Sequence, residues 1–249
     1  MKQSTYVKKH AIAFLTTTVL LLIGGNRAIA QSFPPTSLSL KFPTGDSQGA
    51  PGRTTGGGTR REGCSSQPSA IPLTALAPTN NIAKTVTGNP SVYIYVPAYE
   101  EKEALFRIID KQAEEIVYET EISLNNSPGI LKLTLPETVQ LESNMTYEWG
   151  FFVQCDPNDP VADEGVEGWI ERTVVAPEIE SEIEQAIQNP LQQAQLYAEA
   201  GIWNETLALL VQMRDSNPTV WAEFLESVGL TSDIAESPLI LSTAMGDEE

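Results

Sequence analysis

Between Ile71 and about Val175, apolar and polar residues alternate in short runs separated by turn residues, the mark of an antiparallel β region. SVYIYV at 91–96 predicts a strand ended by Pro97, and Leu105 to Ile109 predicts another. In IVYETEISL (116–124), Ile116, Tyr118, Thr120, Ile122 and Leu124 share one face while Glu119 and Glu121 take the other. NNSPG (125–129) turns the chain, Leu131, Leu133 and Leu135 share the next face, and Pro136 closes that strand. In LESNMTYEWGFFVQC (141–155), Tyr147, Trp149, Phe151, Val153 and Cys155 all fall on one face, which belongs in a core. Leu141 stands six residues before Tyr147, as in the tyrosine corner of fibronectin-type domains, without the central Pro and Thr. VEGWIERTVV (166–175) completes about seven strands, the number of an immunoglobulin-like sandwich.

At Pro177 the period becomes helical. Glu178 to Gln188 predicts a charged helix. Leu191, Ala194, Tyr197 and Ala198 form a stripe ending at Gly201, and Trp203, Leu207, Leu210 and Val211 form a second, stopped before Pro218. The pair resembles a single tetratricopeptide-type hairpin, and WAEFLESVGL (221–230) predicts a third helix over it. The expected fold class is therefore α+β: an antiparallel immunoglobulin- or fibronectin-III-like β-sandwich at 63–176, followed by a C-terminal helical hairpin or three-helix cap at 177–245.

Ahead of this body, MKQSTYVKKH, AIAFLTTTVLLLIGG and NRAIA form a basic, an apolar and a small-residue segment. They predict a secretory signal peptide at 1–30 with Ala28 and Ala30 at the cleavage site. Residues 31–62 are dominated by Pro, Gly, Ser and Thr, which predicts a disordered leader. Cleavage removes four cations and no acid, so the formal charge becomes more negative than the −18 of the full chain. It also removes His10, the only histidine.

Without imidazole, Ser-His-Asp and Cys-His catalysis are excluded, and a zinc centre, which usually recruits His or several Cys, is not expected. The acidic balance excludes phosphate-backbone binding, so nucleic acid is not an expected partner. No motif calls for a cofactor. Thirty-three acidic residues would permit a carboxylate-pair glycosidase, but nothing selects one pair. Cys64 and Cys155 in an oxidising compartment predict one disulfide, the competing reading being two buried free thiols.

Three candidate sites follow. Arg53, Arg60 and Arg61 in PGRTTGGGTRREGC lack phosphate-loop spacing, so they read either as a solvated tether or as guanidinium groups for an anionic partner. CDPNDPVADEG gathers Asp156, Asp159, Asp163 and Glu164, a weak calcium candidate because Pro160 occupies a ligand position and the loop glycine is missing; the plainer reading is an acidic loop beside the disulfide. Periodicity places Trp149, Trp203 and Trp221 in cores and leaves Trp169, flanked on its face by Glu167 and Glu171, as an exposed aromatic facing a partner.

Together, APGRTTGGGTRREGC, LTALAP, YIYVPA, YEWGFFVQCDPNDP, VEGWIER, AGIWNETLALL and SVGL resemble the domain-of-unknown-function family 928, a group of secreted proteins abundant in cyanobacteria. The resemblance covers residues 49 to 240 and implies no reaction; it implies proteins that accompany surface or signalling systems. Where that family carries a second basic residue after Arg53, this chain has Thr54. The expected function is a non-enzymatic protein-interaction module of the cell envelope, secreted or periplasmic. It would meet an envelope protein or peptide and have no membrane span after cleavage. The alternative is an envelope protein that binds glycan or cleaves it with carboxylates.

Overall fold

The sheet that carries this protein is buried on both sides, and the reason is visible in its longest apolar run. In SVYIYV every residue after the first is buried. Val92, Ile94 and Val96 face one core and Tyr93 and Tyr95 face another. The computed structural model describes residues 40–43, 64–65, 71–159 and 162–241, all within one unit that spans Leu38–Glu249. The signal segment with Ala28 and Ala30, the arginines Arg53, Arg60 and Arg61, and most of the leader lie outside the described residues.

The described strands are β1 (Thr74–Ala75), β2 (Ile82–Thr85), β3 (Ser91–Val96), β4 (Lys102–Asp110), β5 (Glu115–Leu124), β6 (Gly129–Thr134), β7 (Met145–Val153), β8 (Glu164–Arg172) and β9 (Leu239–Leu241). Between β8 and β9 come α1 (Pro177–Gln185), α2 (Pro190–Glu199), α3 (Trp203–Met213), α4 (Pro218–Ser227) and α5 (Ser232–Glu236). Four strands form one sheet in the order β1-β3-β6-β9, and five form the other in the order β2-β8-β7-β4-β5. The architecture is α+β, two mainly antiparallel sheets with helices toward the C-terminus. An all-antiparallel sandwich is corrected at two places: β2 runs parallel to β8, and β9 runs parallel to β6. The second of these also amends the purely helical C-terminal segment, because the chain returns after α5 to add a strand.

The core between the sheets joins Val92, Ile94, Leu131 and Leu133 to Phe106, Ile108, Trp149, Phe151 and Val153. Alternation along β7 places that aromatic face inward, as the odd-numbered pattern requires. Tyr147 is buried there, and its hydroxyl accepts a hydrogen bond from the backbone N–H of Glu142 at 2.9 Å. The spacing from Leu141 thus does produce the back-bond of a tyrosine corner, without the missing Pro and Thr.

The second core lies beyond the four-stranded sheet. Tyr93, Tyr95, Leu76 and Ile130 meet Trp203, Leu207, Leu210 and Phe224 of the helices. Trp203 is buried and donates its indole N–H to the Leu76 carbonyl at 3.0 Å, so the aromatic fills the interface without leaving a polar atom unmet. Pro190 and Pro218 occupy the first turns of α2 and α4, where the missing N–H costs nothing. Gly201, at φ 72°, supplies the left-handed bend between α2 and α3.

The leader contains one ordered anchor that composition conceals. Leu40 and Phe42 are buried in the helical core, with the Phe42 ring edge-on to Trp203 at 4.9 Å and to Phe224 at 6.2 Å. The Phe42 N–H donates to Ser227 Oγ at 3.2 Å. The expectation of disorder through 31–62 is therefore corrected at 40–43, where two apolar side chains bury enough surface to offset the ordering of a short segment.

Candidate functional site

Helices cover the outer side of the four-stranded sheet, and the five-stranded sheet turns its own outer side away from the core. Because Ala104, Phe106 and Ile108 point inward on β4, Glu103, Leu105, Arg107 and Ile109 point outward. The register then sets Leu105 beside Phe152 and Glu121, Arg107 beside Gly150 and Glu119, and Ile109 beside Glu148 and Ile116. Trp169 stands opposite Glu148, with Ile82 on its other side.

This face is aromatic, apolar and charged at once. Phe152 lies across Gly150 and Gly165, where a β-carbon would come within 2.4 Å and 2.5 Å of its ring, so the two glycines are what let the ring lie flat. The Arg107 guanidinium sits 4.8 Å from the centre of that ring. Lys111 Nζ lies 5.8 Å from the Trp169 ring and pairs with Glu148 at 2.5 Å, which holds the ammonium above its usual pKa. Trp169 is half-buried rather than exposed, and its indole N–H is buried without a hydrogen-bond partner among the described residues.

A hollow of about 280 Å³ opens on this face between Glu103, Leu105, Arg107, Glu121, Phe152 and Asp163. Lys84 pairs with Glu171 at 3.5 Å, but among the described residues no ion pair reaches Glu103, Glu119 or Glu121. The strand that carries Glu119 and Glu121, β5, closes the sheet on one side and has no strand beyond it among the described residues. Glu115 and Ile116 begin that edge, and Ile116 is 57% exposed.

Gln154 also lines the hollow, and the next residue, Cys155, forms a disulfide with Cys64, with an S–S distance of 2.07 Å. The acidic residues after it are dispersed into separate tasks. Asp156 Oδ1 accepts from the Asn158 N–H at 2.9 Å, and Asp163 Oδ1 accepts from the Cys155 N–H at 3.1 Å. The Asp159 carbonyl accepts from the Ala162 N–H. Glu164 accepts a hydrogen bond from the hydroxyl of Tyr99, a fully buried side chain whose pKa is raised by burial first and by Glu164 second. Among the described residues, the one group of metal-capable atoms is Cys64, Cys155 and Glu164, whose ligand atoms all lie within 4.8 Å of one another. Asp156, Asp159 and Asp163 are not part of it.

A second, larger groove of about 710 Å³ runs along α4 and α5 past Arg214, Thr219, Trp221, Glu223, Glu226 and Glu236. The apolar side of the α2–α3 hairpin packs against Leu40, Phe42 and the four-stranded sheet.

The model of a family described as a Domain of Unknown Function (DUF928) matches residues 55–239, which takes in β1 to β8, the disulfide and the helices and ends at the first residue of β9. The chain belongs to the DUF928 family. That match joins the outer face and the helical cap in one family unit. No curated protein matches the chain. Among solved structures, the chain resembles a crystal structure of a family 76 glycoside hydrolase from a bovine Bacteroides thetaiotaomicron strain at 12% identity and a TM-score of 0.27. That likeness covers 48% of this chain and 23% of the other, and at such a score it carries no inference. No helix among the described residues is long and apolar enough to cross a membrane.

The sequence singled out Trp169 but missed its neighbours. Phe152 and Arg107 sit on different strands, and only the register of β4 against β7 brings them together. The signal available was GFF at 150–152, where a glycine beside two aromatics marks a close approach.

Proposed function

We propose that this DUF928 member is a secreted, non-enzymatic interaction module whose docking surface is the outer face of the five-stranded sheet together with the β5 edge. Its partner is an extended basic segment of an envelope protein, added alongside β5. The observation that carries this reading is the ten-residue edge strand, unpaired on one side among the described residues and bearing Glu115, Glu119 and Glu121, next to a carboxylate-lined hollow. Strand addition supplies affinity through main-chain hydrogen bonds, while alternate side chains read the neighbouring face. Pairing with a second copy is disfavoured: an antiparallel match centred near Thr120 sets Glu119 of one chain against Glu121 of the other. Basic side chains would instead meet carboxylates, and the chain's net charge of −18 steers them in.

The test is binding to an array of extended peptides with alternating Lys or Arg, run beside a panel of envelope glycans. Charge reversal by Glu119→Lys with Glu121→Lys should weaken peptide capture at least tenfold, and rising salt should weaken it in the unmodified chain. Trp169→Ala should reduce capture with little change in the melting temperature. Saturable glycan binding with no peptide capture would replace this reading with the glycan one, and capture indifferent to charge reversal would remove β5 as the site.

A further inference from the structure

We propose that Cys64, Cys155 and Glu164 form a second, redox-gated site, one that binds a borderline-soft divalent cation of the Zn²⁺ class once the disulfide is reduced. Sequence composition argues against zinc only while both sulfurs are locked to each other and no third ligand is in view. The fold supplies that third ligand. Glu164 opens β8 opposite Val153, two residues before Cys155 on the adjacent strand, and this brings its carboxylate to within 4.8 Å of both sulfurs.

Contacts other than the S–S bond also help to position the three ligands. Cys155 is clamped through its backbone on both sides: its N–H donates to Asp163 Oδ1 at 3.1 Å, and its carbonyl accepts from Lys102 Nζ at 2.9 Å. Beside Cys64, the Ser65 hydroxyl donates to the Ala98 carbonyl at 3.0 Å. Glu164 is oriented by the Tyr99 hydroxyl, and Tyr99 is fully buried, so the carboxylate has the kind of outer partner that fixes a metal ligand. Both cysteines and Glu164 are half-buried, open enough for a reductant and an ion to reach them.

Two thiolates and a carboxylate select the metal. Hard cations such as Ca²⁺ take oxygen ligands throughout, whereas Zn²⁺ accepts sulfur and oxygen together. Tetrahedral Zn²⁺ needs sulfurs about 3.8 Å apart, which follows from Zn–S distances of about 2.3 Å and requires only side-chain rotation after cleavage. Water completes the fourth position. The chemistry balances with a dithiol as reductant: the dithiol attacks the Cys64–Cys155 bond, leaves as its own disulfide, and passes two electrons and two protons to the protein. Zn²⁺ then displaces both thiol protons to solvent. A small-molecule disulfide reverses the sequence: it takes two electrons from the two thiolates, picks up two protons from solvent and leaves as the dithiol, and the ion is released.

The test uses the full chain, oxidised and reduced with a phosphine, titrated with Zn²⁺ against a chromophoric chelator and with Co²⁺ as a spectroscopic probe. The reduced protein should bind one ion and show a thiolate-to-cobalt charge-transfer band, and the oxidised protein should show neither. Glu164→Gln should weaken binding at least tenfold with the thiol count unchanged, and Cys64→Ser should abolish the band. If reduction unfolds the chain, Zn²⁺ added before the phosphine should preserve the folded circular-dichroism spectrum in the unsubstituted protein and fail to in Glu164→Gln. Absence of the band, equal affinity in Glu164→Gln, or no protection by Zn²⁺ would each overturn the proposal.

Discussion

Replacing Phe42 by Ala tests whether the short segment at 40–43 is part of the fold or an incidental contact. The side chain is 8% exposed and meets Trp203 and Phe224 edge-on, at 4.9 Å and 6.2 Å. Removing a buried Phe side chain costs about 3 to 5 kcal/mol in a rigid core, through lost transfer energy and the cavity left behind. Here the cost has a ceiling. Once the ring is gone the segment can detach, and the loss cannot exceed the net free energy by which it docks, which already includes the entropy of ordering its backbone. The expected loss is about 3 kcal/mol, at the lower end of that range.

For a body of this size, about 3 kcal/mol lowers the melting midpoint by roughly 6 to 12 °C. The assay is thermal unfolding followed by circular dichroism, with urea unfolding for the free energy. Lys41→Ala is the control, because Lys41 is exposed between the two buried residues and should change stability by less than about 0.5 kcal/mol. Ser227→Ala removes the acceptor of the Phe42 N–H and should cost about 1 kcal/mol. A Phe42→Ala loss below about 1 kcal/mol would refute the claim that this segment belongs to the helical core.

Glu205→Ala should destabilise by about 2 to 3 kcal/mol in urea unfolding, because one carboxylate oxygen accepts from the Thr85 hydroxyl at 2.8 Å and from the Val86 and Thr87 N–H groups at 3.0 Å each, tying α3 to the chain after β2. Glu114 ends the β4–β5 turn at φ 56°, where a side chain is strained, so Glu114→Gly should raise stability by about 1 kcal/mol by the same measurement. Burial raises the pKa of Tyr93 to about 12, only partly offset by its hydrogen bond with Ser91, and burial likewise raises Tyr99 and Tyr197. The unfolded chain ionises these phenols near 10 and the folded chain does not, so their contribution is intact below pH 10 and is lost as pH rises toward 12. Phenolate absorbance should therefore rise in step with unfolding through that window, and Tyr93→Phe should flatten the alkaline fall.

The inter-sheet core was legible because period-two alternation needs no knowledge of partners. Tyr147, Trp149, Phe151 and Val153 announced one buried face, and all four are buried. Strand alternation places Trp149 in a core and helical periodicity places Trp203 and Trp221 in one, and all three are buried. What escaped were features made by long-range pairing. SVYIYV reads as a strand, but that its tyrosines meet helices more than a hundred residues later depends on α3 folding back across the sheet. The parallel additions of β2 and β9 were invisible, since three or four residues carry no period. Leu40 and Phe42 were masked by the Pro, Gly, Ser and Thr around them, because average composition says nothing about two residues that find a groove. Trp169 was expected to be exposed because its flanking glutamates suggest solvent, whereas Lys111 from the neighbouring hairpin lies over its ring.

The layering also bears on the proposed docking surface. A sheet packed on both sides reads as a continuous apolar run, and a sheet with one free side reads as alternation. In β3 the run is continuous; in β4 and β5 it alternates, with Glu103, Glu119 and Glu121 on the outer side. The helices therefore remove one of the two outer sheet faces from consideration, and the hairpin packs against the 40–43 anchor. The acidic face with its β5 edge, the disulfide corner near it and the groove along α4 and α5 stay open among the described residues. Asp163 both lines the hollow of the acidic face and accepts from the Cys155 amide, so it is the one described link by which a rearrangement at the disulfide would reach the proposed docking surface. Peptide capture measured on the reduced, Zn²⁺-loaded chain should therefore differ from capture by the oxidised chain, and Asp163→Asn should diminish that difference. Identical capture in the two forms would show that the corner and the face act independently.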